Sequence, residues 1–377
     1  MTAMGLRPRG GKPVSRRSLL LSAGAASLMP AAMPAADRGE ARAADWTRYY
    51  DPSTEFEVTR FTHYSYASYL AKPPGRGVSR RGDFIIVSSG RSGAQQLCRI
   101  DLKHGENRIL SAAANLQPGA FTLSADDRVV WFFDGTALSS VALSGSQRGG
   151  ELWRGTGAAP LSISASEDGT SLWFAAADGT GAQLIRVRTS ARPEASVATR
   201  QAEMILEPVP NPRRALVLWR TAMGGAWICE HDGANPRRIE TPAGRVLQVL
   251  WSPDGQSVLY LHESTEAGHA AAIREQDVDS RADRLVARTS LFACFARNSD
   301  GSVYVGSSSS QASPLVLLLL RVNRRELALG ENKSRDAAKA AVALSADSQR
   351  LFFQGDREGN PTVYSIKLEK LVEKTGS

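Results

Sequence analysis

One phrase recurs seven times along this chain and limits its fold more than any other feature. A turn of Asp, Asn, Ser or Gly leads each time into a short β-branched or aromatic run. The instances are Arg81-Gly82-Asp83 before residues 84–87, Ala125-Asp126-Asp127-Arg128 before 129–132 and Glu167-Asp168-Gly169 before 172–174. They continue with Asn211-Pro212-Arg213-Arg214 before 215–218, Ser252-Pro253-Asp254-Gly255 before 258–261, Ser299-Asp300-Gly301 before 303–305 and Ala346-Asp347-Ser348 before 351–353. With Gly82, Asp126, Asp168, Asn211, Asp254, Asp300 and Asp347 as markers, successive separations are 44, 42, 43, 43, 46 and 47 residues. A four-stranded antiparallel blade needs roughly 40–50 residues, a repeat length that signals propellers. The spacing therefore predicts an all-β, seven-bladed β-propeller.

Between markers, residues 97–102, 184–188 and 227–230 end in polar hairpins and read as third strands. Trp131, Trp173, Trp251, Tyr260 and Phe352 sit beside the markers, where large rings wedge between neighbouring sheets, so they are expected in the core. Residues 56–62 come about 20 residues before the first marker, too early for that blade. They are expected to pair with the last blade, joining N- and C-terminal strands so that the ring closes and loses its free edges.

The N-terminus reads as an address. Ser15-Arg16-Arg17-Ser18-Leu19-Leu20 opens a weakly apolar run over 19–29, followed by Ala41-Arg42-Ala43. Charged region, apolar region and small-residue cleavage site come in the order of a twin-arginine signal. At about 11 residues the apolar run is well short of the ~20 that span a bilayer, so no integral membrane anchor is expected. The expected division is a signal and spacer at 1–43 and a propeller at 44–377, with the product periplasmic or secreted.

Of the formal net charge of +8, residues 1–43 hold +5, from Arg7, Arg9, Lys12, Arg16, Arg17, Arg38 and Arg42 against Asp37 and Glu40. The remaining +3 is too mild to point to nucleic acid. Cys98, Cys229 and Cys294 are odd in number and have no CxxC pair, so no disulfide framework is expected. The five histidines show neither HxH nor HExxH spacing, which leaves no preformed metal site in the pattern.

Trp251-Ser252-Pro253-Asp254-Gly255 is similar to the repeat of Tol-type and dipeptidyl peptidase propellers. Residues 60–69, 227–239, 298–302 and 352–361, in that order and at those distances, resemble the oligogalacturonate lyase family across essentially the whole mature chain. The resemblance implies a seven-bladed propeller whose central site uses manganese, held by histidines and a glutamine, to cleave galacturonate oligomers by β-elimination. In that chemistry a cation neutralises the carboxylate beside the C5 proton while a base removes the proton.

Matched on the shared phrases, the family's catalytic histidine falls on Gln248 and its catalytic arginine on Gly225. The metal histidine before residues 298–301 falls on Cys294, the His-Pro-His pair on Lys339 and Ala341, and the glutamine near Asp336. Every one departs from the family's pattern. Cys294 and Asp336 alone would suit manganese poorly, so no cofactor is expected and elimination by the family route is not. Lys339 reads either as a base or carboxylate-binding cation or as a solvated residue, and Gln248 either as a hydroxyl ligand or as a turn residue. His63, beside Tyr64, Tyr66 and Tyr69, either lines the central opening or is a hydrogen-bonded surface histidine.

Three readings follow. The first is a lyase-like propeller that binds a pectin-derived acidic oligosaccharide without the family's chemistry, with Gln248, Cys294, Asp336, Lys339, His63 and Tyr66 as candidate ligand contacts. The second is a polysaccharide lyase with a metal-free site built on Lys339. The third is a Tol-type scaffold that docks a periplasmic protein partner.

Overall fold

The computed structural model describes residues 41–43, 45–144, 149–266, 271–289, 292–308, 310, 315–332, 334 and 340–373. These form seven antiparallel sheets, five of four strands and two of five. The first strands of neighbouring sheets pack on one another and surround the axis. In order they are Ser68–Tyr69, Leu116–Leu123, Ser164–Ala165, Ile205–Pro210, Gly244–Trp251, Phe292–Arg297 and Val342–Leu344. Each opens one blade, and blades are numbered here in that order.

All seven marker turns join a first strand to a second. In blades 2, 3, 5 and 7 the turn carries a serine two residues before the aspartate. Ser124 Oγ donates to Asp126 Oδ1 at 2.7 Å, Ser252 Oγ to Asp254 at 2.6 Å and Ser345 Oγ to Asp347 at 2.6 Å. The same oxygen accepts the backbone N–H that opens the second strand, as Ser124 does from Val129 at 2.9 Å. The local side-chain bonds thus satisfy the turn's backbone groups where the ladder stops. The turn also needs one residue in the left-handed region, filled by Gly169 (φ 68°) and Gly255 (φ 71°) but by Asp127 (φ 60°) in blade 2.

Second strands are buried on both faces because each blade is sandwiched between two others. Phe84–Ser89 and Val303–Ser308 are buried throughout. This is why the sequence reads there as unbroken apolar runs rather than as an alternation. Outermost strands lose one neighbour, and Glu194–Gln201 is mostly exposed. The core is accordingly divided among the seams. Phe133, Leu138, Phe174 and Val187 fill the seam between blades 2 and 3, and Val305, Leu318, Phe353 and Ile366 that between blades 6 and 7. Trp173, Tyr260 and Phe352 are fully buried, and Trp131 and Trp251 nearly so, as the sequence predicts.

The ring closes in blade 7. Its order is Val342–Leu344, Arg350–Gly355 and Thr362–Lys367, then the N-terminal strands Glu57–Arg60 and Thr47–Tyr50. Val58 pairs with Ile366, and Arg60 with Tyr364, as expected of the segment at 56–62. A second N-terminal piece, Ala41–Arg42, pairs with Asn107 and Arg108 on the outer edge of blade 1. Among the described residues, pairing with the propeller thus includes Ala41 and Arg42, ahead of residue 44. Among the described residues no helix is long and apolar enough to cross a membrane.

Candidate functional site at the central channel

Four first strands carry a register shift where the channel is lined: Leu116/Phe121 in blade 2, Leu206/Val209 in blade 4, Val246/Gln248 in blade 5 and Phe292/Cys294 in blade 6. A bulge re-aims the side chains on either side of it and is frequent beside functional sites. Two sequence candidates, Gln248 and Cys294, sit immediately after such bulges.

Gln248 is buried and both ends of its amide are bonded. Nε2 donates to Phe295 O at 2.8 Å and Oε1 accepts from Phe295 N at 2.8 Å. The side chain stands in for a strand, giving the first strand of blade 6 two bonds that the gap between blades would otherwise deny it. Cys294, next to Phe295, aims its thiol at Ala340 O at 3.7 Å. Burial pushes that thiol up to about 12, and the nearby Glu207 carboxylate adds to the rise, so it is neutral at physiological pH.

Gly225, which the sequence match sets against the family's arginine, ends a tight turn and donates its N–H to Thr221 Oγ1 at 3.2 Å. Ala341 is buried, and its carbonyl accepts from Gln354 N at 3.0 Å. Neither side chain can serve as acid, base or ligand. Asp336 and Lys339 lie outside the described residues.

His63 and Tyr66 lie on a different element, the connection at 61–67 that carries the chain from blade 7 to blade 1. The His63 ring stacks on Tyr64 at 4.2 Å, and its Nδ1 is 2.8 Å from Ser65 Oγ. Tyr66 donates its hydroxyl to Asp45, which also pairs with Arg91 at 3.0 Å. Burial, and then the Asp45 acceptor, raise the Tyr66 phenol far above its ordinary value. Tyr66 therefore ties the N-terminal segment to blade 1. No contact joins this group to Gln248 or Cys294 among the described residues.

The sequence reading overlooked Glu207. It occupies the bulge of the blade 4 first strand with φ 52°, a strained conformation for a residue with a Cβ. Its carboxylate takes a two-pronged bond from Arg220, Nε to Oε2 at 2.9 Å and Nη2 to Oε1 at 2.8 Å. Both side chains remain about one-fifth exposed, at 20% and 21%. The available signal was Glu207-Pro208 inside an apolar run, an acid and a non-donor where a central strand should carry neither. A cavity of ≈ 220 Å³ lined by Leu110, Ser111, Phe132, Asp134 and Glu151 is built from none of these residues.

Against solved structures the chain superposes on an oligogalacturonate lyase in complex with manganese, with a TM-score of 0.79, 18% identity, and coverage of 88% of this chain and 98% of that one. The chain has the fold of an oligogalacturonate lyase. The lyase from Vibrio parahaemolyticus gives a TM-score of 0.77 at 16% identity, covering 88% of this chain and 98% of that one. A more distant likeness, TM-score 0.58 at 15% identity over 80% of this chain, is to the β-propeller domain of Cps50 (Swd1) from Myceliophteria thermophila, which is covered in full. No protein-family model matches the sequence, and no curated protein does.

Among the described residues, the lyase-like positions offer manganese few donors. The Gln248 oxygen is committed to Phe295, the Cys294 thiol holds its proton, and Gly225 and Ala341 bring no donor. Among the described residues no three His, Cys, Asp or Glu side chains are gathered as a metal site.

Proposed function

We propose that this protein is an exported, oligogalacturonate-lyase-like propeller that binds a pectin-derived acidic oligosaccharide at its central channel and does not eliminate it by the manganese route. Two findings support the reading: the likeness in fold to oligogalacturonate lyases spans 88% of the chain, and Gln248, which the sequence match sets at the position of the family's base, has its amide bonded to Phe295. A fold hosts many chemistries, so the argument for lost elimination rests on these side chains and not on the architecture. Proton abstraction beside a carboxylate needs a base within reach and a cation to stabilise the developing charge, and a hydrogen-bonded glutamine supplies neither. Export rests on Ser15-Arg16-Arg17-Ser18-Leu19-Leu20 and the apolar run behind it.

The test is incubation with digalacturonate, with and without manganese, following the ultraviolet absorbance of the unsaturated product, alongside calorimetric titration of the same sugar. Binding without product formation is expected. Manganese-dependent product would overturn the loss of the family route, and manganese-independent product would favour a lyase built on Lys339. Absence of both binding and product would favour a protein-docking scaffold. Arg16→Lys with Arg17→Lys should hold the precursor in the cytoplasm, and unchanged export would remove the twin-arginine reading.

A further inference from the structure

The first strand of blade 1 does not run straight through to its marker turn. After Ser68–Tyr69 the chain departs as Ala71-Lys72-Pro73-Pro74-Gly75-Arg76-Gly77 before rejoining the blade at Val78, which bridges to Ile85. This segment follows the first strand of blade 2. Lys72 N donates to Gly119 O at 2.8 Å, Arg76 N donates to Thr122 Oγ1 at 3.1 Å, and Leu123 N returns a bond to Arg76 O at 2.7 Å. At Gly75 it reaches blade 3. A Cβ there would stand 2.5 Å from Phe121 O and 3.1 Å from Ile163 O, the residue just before Ser164–Ala165. Three consecutive first strands thus surround the segment, which places it on the wall of the channel.

Lys72 has a seat made for it. The bulge of blade 2 puts Gly119 at φ 75°, and a Cβ at that position would lie 2.9 Å from Lys72 Cγ and 2.9 Å from Leu70 O. Only glycine lets the lysine stem cross the strand there. The side chain is open to water, yet burial within the surrounding protein lowers its ammonium below the ordinary lysine value. Among the described residues its amine has neither a hydrogen-bond partner nor an ion pair, whereas Arg76 close by is paired with Asp127 at 2.7 Å.

We propose that Lys72, seated over Gly119, is an anion-binding group of the central channel that takes a carboxylate of the ligand. An ammonium offers three donors, and its attraction for an anion grows as the surrounding water is thinned. An unpaired, partly desolvated cation also carries a free-energy cost that a bound carboxylate relieves. The choice of an acidic sugar as ligand rests on the function proposed above, but the anion site itself does not.

The test is acylation of lysines in the folded full-length protein, read by peptide mass spectrometry in the presence of digalacturonate, citrate or neutral maltose. Titration of Lys72→Met with digalacturonate accompanies it. Both acids should slow labelling of Lys72 but not of Lys103, and maltose should slow neither. The Met variant should bind digalacturonate roughly tenfold or more weakly, the loss of one charge-assisted bond. Protection by citrate alone would uphold the anion site and remove the acidic-sugar reading. Lack of protection by either acid, equal protection of Lys103, or, where digalacturonate does protect Lys72, unchanged affinity in the Met variant would overturn the role given to Lys72.

Discussion

Asp51 accepts the backbone N–H of Glu331 at Oδ2, at 2.9 Å across 280 residues of sequence, and so fastens the turn between the two N-terminal strands to the outer strand of blade 6. Its other oxygen takes the Ser53 hydroxyl at 2.7 Å and the Ser53 N–H at 3.0 Å. Burial alone would raise the Asp51 carboxyl. The bonds from Glu331, Ser53 and Thr54 outweigh it and hold the group below the ordinary carboxylate value.

A depressed carboxyl contributes stability that is complete above the unfolded value, about 4, and lost as pH falls through the folded one. Asp51→Asn should therefore destabilise the protein by about 1–3 kcal/mol at neutral pH, with the gap to wild type narrowing as pH drops below about 4. Urea unfolding of both proteins from pH 7 to 3 measures it. A gap that does not change with pH would mean the carboxylate's charge has no part in the fastening.

Ring closure makes a sharper demand. Val58 is buried opposite Ile366, and Phe61 packs between blades 7 and 1 near Val363 and Phe352. Phe61→Ala should cost about 3–5 kcal/mol. Removal of residues 351–377 should abolish the cooperative melt altogether, because blade 7 loses two of its strands and the N-terminal strands lose their partner. A truncated protein that still melts in one transition by circular dichroism would show that the other blades stand without closure.

How far these features could be read in the sequence follows from their range. The marker turns are local, with Ser, Asp and Gly each answering a backbone need within five residues, and so blade number and spacing were legible. Closure was legible because Glu57–Arg60 had no place in the first blade. The channel was not. Gln248 bonds to Phe295, 47 residues away, and no local pattern foretells that partner. Glu207 and Lys72 acquire their settings from bulges and from neighbouring blades, and the spacing of residues along one strand carries no trace of those neighbours.

Gln248 provides a test that separates support from binding. Gln248→Ala leaves the buried Phe295 N–H and C=O unpaired, so a loss of about 2–4 kcal/mol is expected from two missing bonds. Affinity for digalacturonate, measured well below the melting temperature, should change less than threefold. A large loss of affinity with unchanged stability would return Gln248 to the ligand site.

The three thiols should be inert. Burial is the largest cause in each case and pushes Cys98, Cys229 and Cys294 up to about 12. A raised thiol value means that the nucleophilic thiolate is scarce at all pH values below it. Labelling by a thiol-specific disulfide reagent at pH 8 should be slow in the folded protein and rapid in denaturant. Fast native labelling of Cys294 would place it on an open channel wall.

Glu207 sets strain against pairing, and two substitutions separate them. At φ 52° any residue with a Cβ is strained by about 1–3 kcal/mol, while the bond to Arg220 offsets that cost. Glu207→Ala keeps the strain and loses the pair, leaving a half-buried guanidinium without its carboxylate. Glu207→Gly loses the pair and relieves the strain. Both should destabilise, and the glycine variant should be the more stable of the two by about 1 kcal/mol in urea unfolding. Equal stabilities would mean that the bulge relaxes once Arg220 is released, so that the ion pair itself holds the backbone in this conformation. A glycine variant at least as stable as wild type would show that the strain of the bulge costs at least as much as the pair with Arg220 contributes.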